Sequence, residues 1–350
     1  MPLICDPIQV KEIYDQAVEQ GICLANFCTA NTLTTEAIFR AAHSFAQAHG
    51  LPGVPVVIAA TANYPIEPQL QHYTGTANAK LGLRALLADV ENYLSEDSPY
   101  AEVRVLLHLD HARPGLDDDI IPQVIGKYAT IMVDCSMLPI DENIRQVAGF
   151  VERYRGRVWV EGAVEEVVQA ADSAPRGGLT DPALAERFLR ETGAFLIVPY
   201  LGTEHRSTAA VAHYNGAVAR AIRDRIGSRM VLHGSSSLHD DDLPRLAGDG
   251  IVKVNIWSIF ERLGGQAVAR DMLENLGNLF TSEQLRAFQE VGILGPRVFE
   301  EAYQREQCQG SLGPKGWAVG DRHRRDVWQE AVVARMLFYF EQFSYKRWSL

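Results

Sequence analysis

The chain has 350 residues, of which 47% are hydrophobic and 22% are charged, and its formal net charge is −11. This is the composition of an ordinary globular protein, and it excludes a collagen-like, mucin-like or broadly disordered chain. The negative charge argues against nucleic acid or an anionic membrane surface as the main partner.

The N-terminal residues and the cysteines indicate the cellular compartment in which the protein is expected. The segment Met1–Cys5 lacks the basic region and the apolar run of a signal peptide, and no apolar stretch is long enough to predict a transmembrane helix. The five cysteines are scattered and form no C-x-x-C pattern. We therefore expect a cytoplasmic protein with reduced thiols.

Short apolar runs, each four to eight residues long, recur along the chain and alternate with helical patterns. They are rich in Val, Ile and Leu with little alternation, which is typical of strands buried on both faces of a parallel sheet. The eight runs are Ile22–Phe27, Val54–Ala60, Val103–Leu109, Tyr128–Val133, Val158–Ala163, Phe195–Leu201, Met230–His233 and Ile251–Ile256.

Helix signals stand between these runs. Thr34 to Glu36 open a predicted helix over 37–49, Asp141 is expected to cap one over 142–154, and Asp181 with Pro182 begins one over 183–192. Eight strand–helix repeats predict an α/β fold, a (β/α)₈ TIM barrel. A doubly wound open sheet is the alternative, but no G-x-G-x-x-G follows the first strand.

The predicted barrel covers residues 1–265, and residues 266–350 form a predicted C-terminal helical extension packed on it. Helical patterns lie at 282–291, 297–308 and 324–343. We expect a homo-oligomer, because the last of these carries an apolar stripe that suits a contact between copies. The stripe comprises Val332, Met336, Leu337, Phe340 and Phe343.

Polar residues collect at the strand ends, where the chemistry of such a barrel lies. His111, His205 and His233 each follow a different predicted strand, so they can converge on the barrel mouth. Three imidazoles with an open fourth position are typical of a catalytic zinc site. The alternative is that these are solvated or capping loop histidines.

Asp110 adjoins His111 and has two open interpretations. A carboxylate near a divalent cation can move a proton on a substrate oxygen, or it can orient a histidine ligand. Gly234 and the serines after it suit a phosphate cradle in residue type, although Gly/Ser runs also form plain turns.

Five motifs in order resemble one family, the class II, metal-dependent fructose-bisphosphate and tagatose-bisphosphate aldolases. The resemblance covers residues from about 10 to 265. The motifs are H-L-D-H at 108–111, M-V-D-C-S-M-L-P-I-D-E-N at 132–143, G-T-E-H at 202–205, V-L-H-G-S-S-S at 231–237 and K-V-N-I-W-S at 253–258.

The resemblance implies a (β/α)₈ barrel in which His111, His205 and His233 hold one catalytic Zn²⁺. It implies a second metal position lined by Asp134 and Glu161. It also implies that Asp110 moves the proton on the hydroxyl beside the cleaved C–C bond. A glutamate after the fifth strand would abstract the substrate proton, and the two candidates are Glu165 and Glu166.

The chain departs from the family pattern in the substrate half of the site. Trp257 stands where the family has aspartate, Ser235 where it has a second glycine, and Arg206 follows the second zinc histidine. We expect an altered substrate, a ketose, ketose phosphate or related polyhydroxy ketone. The residues expected to bind it are Gly202, Arg206, Gly234, Ser235, Ser236, Asn255 and Ser258.

The sequence therefore predicts a zinc-dependent aldolase that cleaves or forms a C–C bond, with zinc polarising the ketone and stabilising an enediolate. A metal-dependent barrel hydrolase is one alternative, but the first strand lacks its usual H-x-H. A non-catalytic ligand-binding barrel is the other. The loops that depart from the family pattern favour this non-catalytic alternative. The presence of the three histidines and Asp110 argues against it.

Overall fold

The computed structural model describes residues 3–166, 178–204 and 214–349. In this part of the chain eight parallel strands follow one another around a closed barrel, which confirms the predicted fold class. The strands are β1 (Leu24–Cys28), β2 (Pro55–Thr61), β3 (Arg104–Ala112), β4 (Thr130–Val133), β5 (Trp159–Ala163), β6 (Leu196–Val198), β7 (Met230–Leu232) and β8 (Ile251–Ile256). Pairing of β1 with both β2 and β8 closes the sheet.

Helices precede, separate and follow the strands, as expected for this barrel with extra C-terminal helices. They are α1 (Pro7–Gln20), α2 (Thr32–His49), α3 (Gln69–His72), α4 (Ala79–Tyr93), α5 (Ile121–Val124), α6 (Ile140–Tyr154), α7 (Pro182–Thr192), α8 (Gly216–Ile226), α9 (Ser258–Glu274), α10 (Leu276–Leu279), α11 (Ser282–Glu290), α12 (Glu301–Gln307), α13 (Gly316–Val319) and α14 (Asp321–Gln342). Among the described residues, no helix has the length and apolar character needed to span a membrane.

The caps of these helices follow the sequence signals at α7, but the expected start at Thr34 to Glu36 is wrong, because α2 begins at Thr32 with Asn31 at the cap position. Asp181 accepts hydrogen bonds from the first N–H groups of α7, and Gly193 ends that helix with a φ of 65°. The expected cap at Asp141 is wrong, because α6 begins at Ile140 with Pro139 at the cap position. Asp141 lies in the first turn instead, where its charge still favours the helix dipole.

The chain divides into two compact units, Met1–Ser258 with Arg335–Leu350, and Ile259–Ala334. In the first unit the Phe340 ring lies 5.5 Å from that of Phe27 and 5.4 Å from that of Phe45. Phe340 is therefore buried within the chain and is not available for a contact between copies. The homo-oligomer and the boundary at residue 265 stay predictions.

The second unit contains most of α9, α10 to α13 and the first part of α14. Thr281 and Gln284 form a reciprocal capping box at the start of α11. Asn278 donates a hydrogen bond of 2.8 Å to the carbonyl of Gln307, and His323 contacts Asp271 at 2.9 Å. These contacts join segments that are distant in sequence within this unit.

The barrel interior contains polar groups as well as aliphatic ones. Nζ of Lys253 lies 2.6 Å from Oε1 of Glu161, and both side chains are fully buried. Nδ1 of His108 lies 2.6 Å from Oγ1 of Thr130. Lys253, Glu161 and His108 thus each have a polar partner, which offsets the cost of removing these groups from water.

We predict that Lys253→Met destabilises the protein by about 3–5 kcal/mol, because it leaves the Glu161 carboxylate buried without its cation. The double variant Glu161→Leu/Lys253→Met removes both charges and should recover most of that loss. Urea denaturation followed by circular dichroism measures both. A single variant as stable as the wild type would contradict this account of the core.

Candidate active site

An open cleft lies where five of the strands end, and its volume is about 550 Å³ including the mouth. It brings together Asp110, two of the three predicted zinc histidines and most of the predicted substrate-binding residues. The lining residues are Cys28, Thr61, Tyr64, Ile66, Glu67, Gln69, Asp110, His111, His233, Gly234, Ser235, Ser236, Asn255, Trp257 and Ser258.

Asp110, His111 and His233 form a buried cluster whose potential ligand atoms all lie within 4.8 Å of one another. Nδ1 of His111 lies 2.9 Å from Oδ2 of Asp134, so Nε2 is the atom of that ring that can bind a metal. A histidine held by a carboxylate in this way is typical of zinc sites, and the donor set fits a zinc ion. His205, the third predicted ligand, lies outside the described residues.

The carboxylate of Asp110 in the cluster and that of Asp134 beside it are held in the ionised form. Burial alone would raise the pKa of Asp110, but the neighbouring His111 and His233 hold it well below its usual range. Burial alone would also raise the pKa of Asp134. The hydrogen bonds that Asp134 makes with His111 and Ser136, together with the positive charge of Arg113, outweigh burial and hold this pKa below its usual range. Each therefore carries a negative charge that can serve an adjacent cation.

The three glutamates predicted for the site are Glu161, Glu165 and Glu166. None of them is among the described residues that line the cleft. Glu161 contacts Lys253, and its Oε1 lies 3.8 Å from Nδ1 of His108. Glu165 accepts a hydrogen bond from the hydroxyl of Thr180, and burial raises its pKa. Glu166 is exposed and is the last described residue before 178. The second metal position and the glutamate base stay predictions.

The serine hydroxyls after β7 are used to join loops. The Ser235 hydroxyl donates to the carbonyl of Asn255 at 2.7 Å, and that of Ser236 donates to the carbonyl of Glu204 at 3.4 Å. Gly234 has a φ of 70°, and a Cβ there would lie 2.9 Å from the backbone of Glu204. The turn therefore requires glycine at position 234. The hydroxyl donors of Ser235 and Ser236 are already used in hydrogen bonds to the backbone.

The other predicted substrate residues divide between the cleft and its surroundings. The Asn255 side chain accepts a hydrogen bond of 2.6 Å from the Asn26 amide, and Trp257 is half-buried in the cleft wall. Gly202 is buried with a φ of 86° and is not among the lining residues. Arg206 lies outside the described residues.

Sequence reasoning missed a group of residues that follow β2 and β3. The Tyr64 ring stacks on that of His111 with centroids 4.3 Å apart and planes 13° apart. The Arg113 guanidinium lies 4.9 Å from the Tyr64 ring centroid, and Glu67 and Gln69 line the cleft. The strand-end rule that selected the histidines applies equally to these positions and could have found them.

The sequence and fold of the chain are similar to those of known proteins. The sequence model of the family described as fructose-bisphosphate aldolase class-II matches residues 8–291. The chain belongs to this family. Its resemblance to class II aldolases is thereby confirmed, and family and fold together support an aldolase-type lyase.

Solved structures show the same fold. The class II aldolase described here is similar to the fructose-bisphosphate aldolase of Campylobacter jejuni, with 17% identity, a TM-score of 0.70 and coverage of 96% of this chain and 94% of that chain. It is also similar to the YdjI aldolase from Escherichia coli K12, with 19% identity, a TM-score of 0.63 and coverage of 95% and 96%. At these identities the likeness shows the fold alone.

Proposed function

We propose that this class II aldolase depends on zinc and cleaves or forms a C–C bond in a ketose, a ketose phosphate or a related polyhydroxy ketone. The observation that carries the proposal is the buried cluster of Asp110, His111 and His233 in the cleft. His111 and His233 would hold the ion together with His205. When bound, zinc supplies a Lewis acid for the ketone oxygen.

Asp110 is the residue we assign to the proton on the reacting hydroxyl. It lines the cleft, and its Oδ1 lies 3.5 Å from Nε2 of His108 and 3.9 Å from Nε2 of His233. In cleavage the hydroxyl proton passes to Asp110, that oxygen becomes the aldehyde carbonyl, and the C–C electron pair stays with the ketone fragment. Glu165 or Glu166 would then donate a proton to the carbon of the ketone fragment that keeps this electron pair.

The cleft favours a substrate other than fructose 1,6-bisphosphate. Glu67 and Asp110 line it, and the described lining residues include no lysine or arginine to balance a phosphate. Trp257 adds bulk where the family has a short carboxylate, and the Ser235 hydroxyl is bonded to the backbone. The cytoplasmic location and the homo-oligomer are proposals that rest on the sequence alone.

Purified protein should carry about one tightly bound divalent ion per chain, most readily zinc given its nitrogen ligands. His233→Ala should lower the metal content strongly and leave the fold intact, because a barrel of this size does not depend on a metal. Metal analysis with circular dichroism checks both. His239→Ala is the control, since that residue is exposed in the same loop. Unchanged metal content in His233→Ala would sink the assignment.

Asp110→Asn should retain zinc and lower turnover by roughly 10²-fold or more, because positioned acid–base groups contribute on that scale. The assay is aldehyde release from a panel of free and phosphorylated ketoses, and the best substrate of the wild type is used for the variant. Weakened zinc binding with normal turnover at saturating zinc would show instead that Asp110 only orients a ligand.

Fructose 1,6-bisphosphate should be a poor substrate, with a kcat/KM below about 10⁴ M⁻¹s⁻¹. Trp257→Asp should raise that value, because it removes the bulk from the cleft wall. Trp317→Asp is the control, since Trp317 is an exposed tryptophan. A wild-type kcat/KM above that threshold would refute the altered-substrate proposal.

A further inference from the structure

His111 adopts an unusual backbone conformation. Its φ is 48°, which lies in the left-handed region, although the residue belongs to β3 and is buried. The register between β3 and β4 shifts at this point, between Leu109 and Ala112. Outside glycine such a conformation is uncommon, and it persists where the surrounding contacts hold it. Contacts with neighbouring side chains are therefore expected to hold His111 in this conformation.

Four side chains form a closed ring of contacts that includes His111. Its Nδ1 lies 2.9 Å from Oδ2 of Asp134, and the same oxygen lies 3.2 Å from Nη2 of Arg113. The Arg113 guanidinium lies over the Tyr64 ring at 4.9 Å, and that ring stacks on the His111 imidazole at 4.3 Å. Each member therefore contacts two others, and together they form the His111 ring of contacts.

The two kinds of contact restrict different motions of the imidazole. The hydrogen bond that Nδ1 of His111 donates to Asp134 selects which nitrogen faces the cleft, while the stacked Tyr64 ring restrains the plane of the imidazole. Arg113 joins these two restraints, because it binds the carboxylate on one side and the aromatic face on the other. An arginine suits this position, since its flat guanidinium both stacks and donates to a carboxylate.

We propose that Tyr64 and Arg113 are positioning residues that hold His111 in the orientation in which its Nε2 binds the metal. The inference rests on the proposed function, in which His111 is a zinc ligand. It assigns a role to two residues that follow β2 and β3 and that lie outside the motifs shared with the family. Neither residue needs to touch the metal to act in this way.

The test is a zinc competition titration against a chromophoric chelator, which needs no substrate. Arg113→Met and Tyr64→Leu should each weaken zinc binding by about 10–100-fold, the usual effect of removing a partner of a metal ligand. Tyr64→Phe keeps the stacked ring and should retain the wild-type affinity. In the double variant Tyr64→Leu/Arg113→Met the loss should be smaller than the product of the two single losses, because both act through one ring of contacts.

Arg335→Met is the matched control. Arg335 also lies over an aromatic ring, at 4.6 Å from the Tyr339 centroid, and also pairs with an aspartate, Asp240. That variant should bind zinc as the wild type does, and thermal melts confirm that each variant folds. Wild-type affinity in Arg113→Met and Tyr64→Leu, with zinc lost in His233→Ala, would overturn this inference alone. A wild type that binds no zinc would overturn the proposed function.

Discussion

Closure of the sheet is the constraint on which the site depends. Because β1 pairs with β8, the strands have no free edge, and their carboxyl ends meet around a single mouth. Residues 28, 61, 111, 233 and 255 come from or directly follow five different strands, yet they line one cleft. Small shifts of one strand would move one donor relative to the others, so the ladder register sets the spacing of the cluster.

The barrel interior supports that cleft with polar contacts. Asn26 donates to Asn255, Lys253 pairs with Glu161, and His108 contacts both Thr130 and Asp110. Such contacts offset part of the cost of burying polar groups, and they restrict rearrangement of the side chains that make them. Aliphatic packing alone could stabilise the barrel equally well. The polar interior therefore fits a role in holding Asp110 in place.

The fold could be predicted from the sequence because its strands are buried on both faces. Most residues of such a strand are apolar whichever way they point. The predicted run Ile251–Ile256 therefore has the same bounds as β8, although β8 also carries the buried polar residues Lys253 and Asn255. The apolar run at 195–201 predicts a longer strand than β6, which ends at Val198. The last residues of that run, 199–201, are buried but belong to the loop that leads to Gly202, and burial alone does not distinguish strand from loop.

The proposed ligand histidines could be predicted from their positions. The same strand-end rule selects the positions of Tyr64 and Arg113, but it does not predict their contacts with His111. Those contacts depend on the left-handed φ of His111 and on the orientation of the Tyr64 ring. Neither property is encoded by residue type at a fixed spacing. The glutamates illustrate the opposite difficulty, because Glu161 has the residue type of a metal ligand, while its described contacts are with Lys253 and His108.

The serines after β7 show that a side chain of suitable chemistry is not always available to bind a ligand. In the sequence, Gly234 followed by three serines offers hydroxyl donors that suit a phosphate. In the fold, the Ser235 and Ser236 hydroxyls donate to backbone carbonyls of the neighbouring loops, so they hold the mouth together. Tyr64, Glu67 and Trp257 also line the cleft, so its walls combine aromatic surface with a carboxylate. In the proposed function, these walls would stack on the ketose and bind its hydroxyl groups, and they would discriminate among substrates.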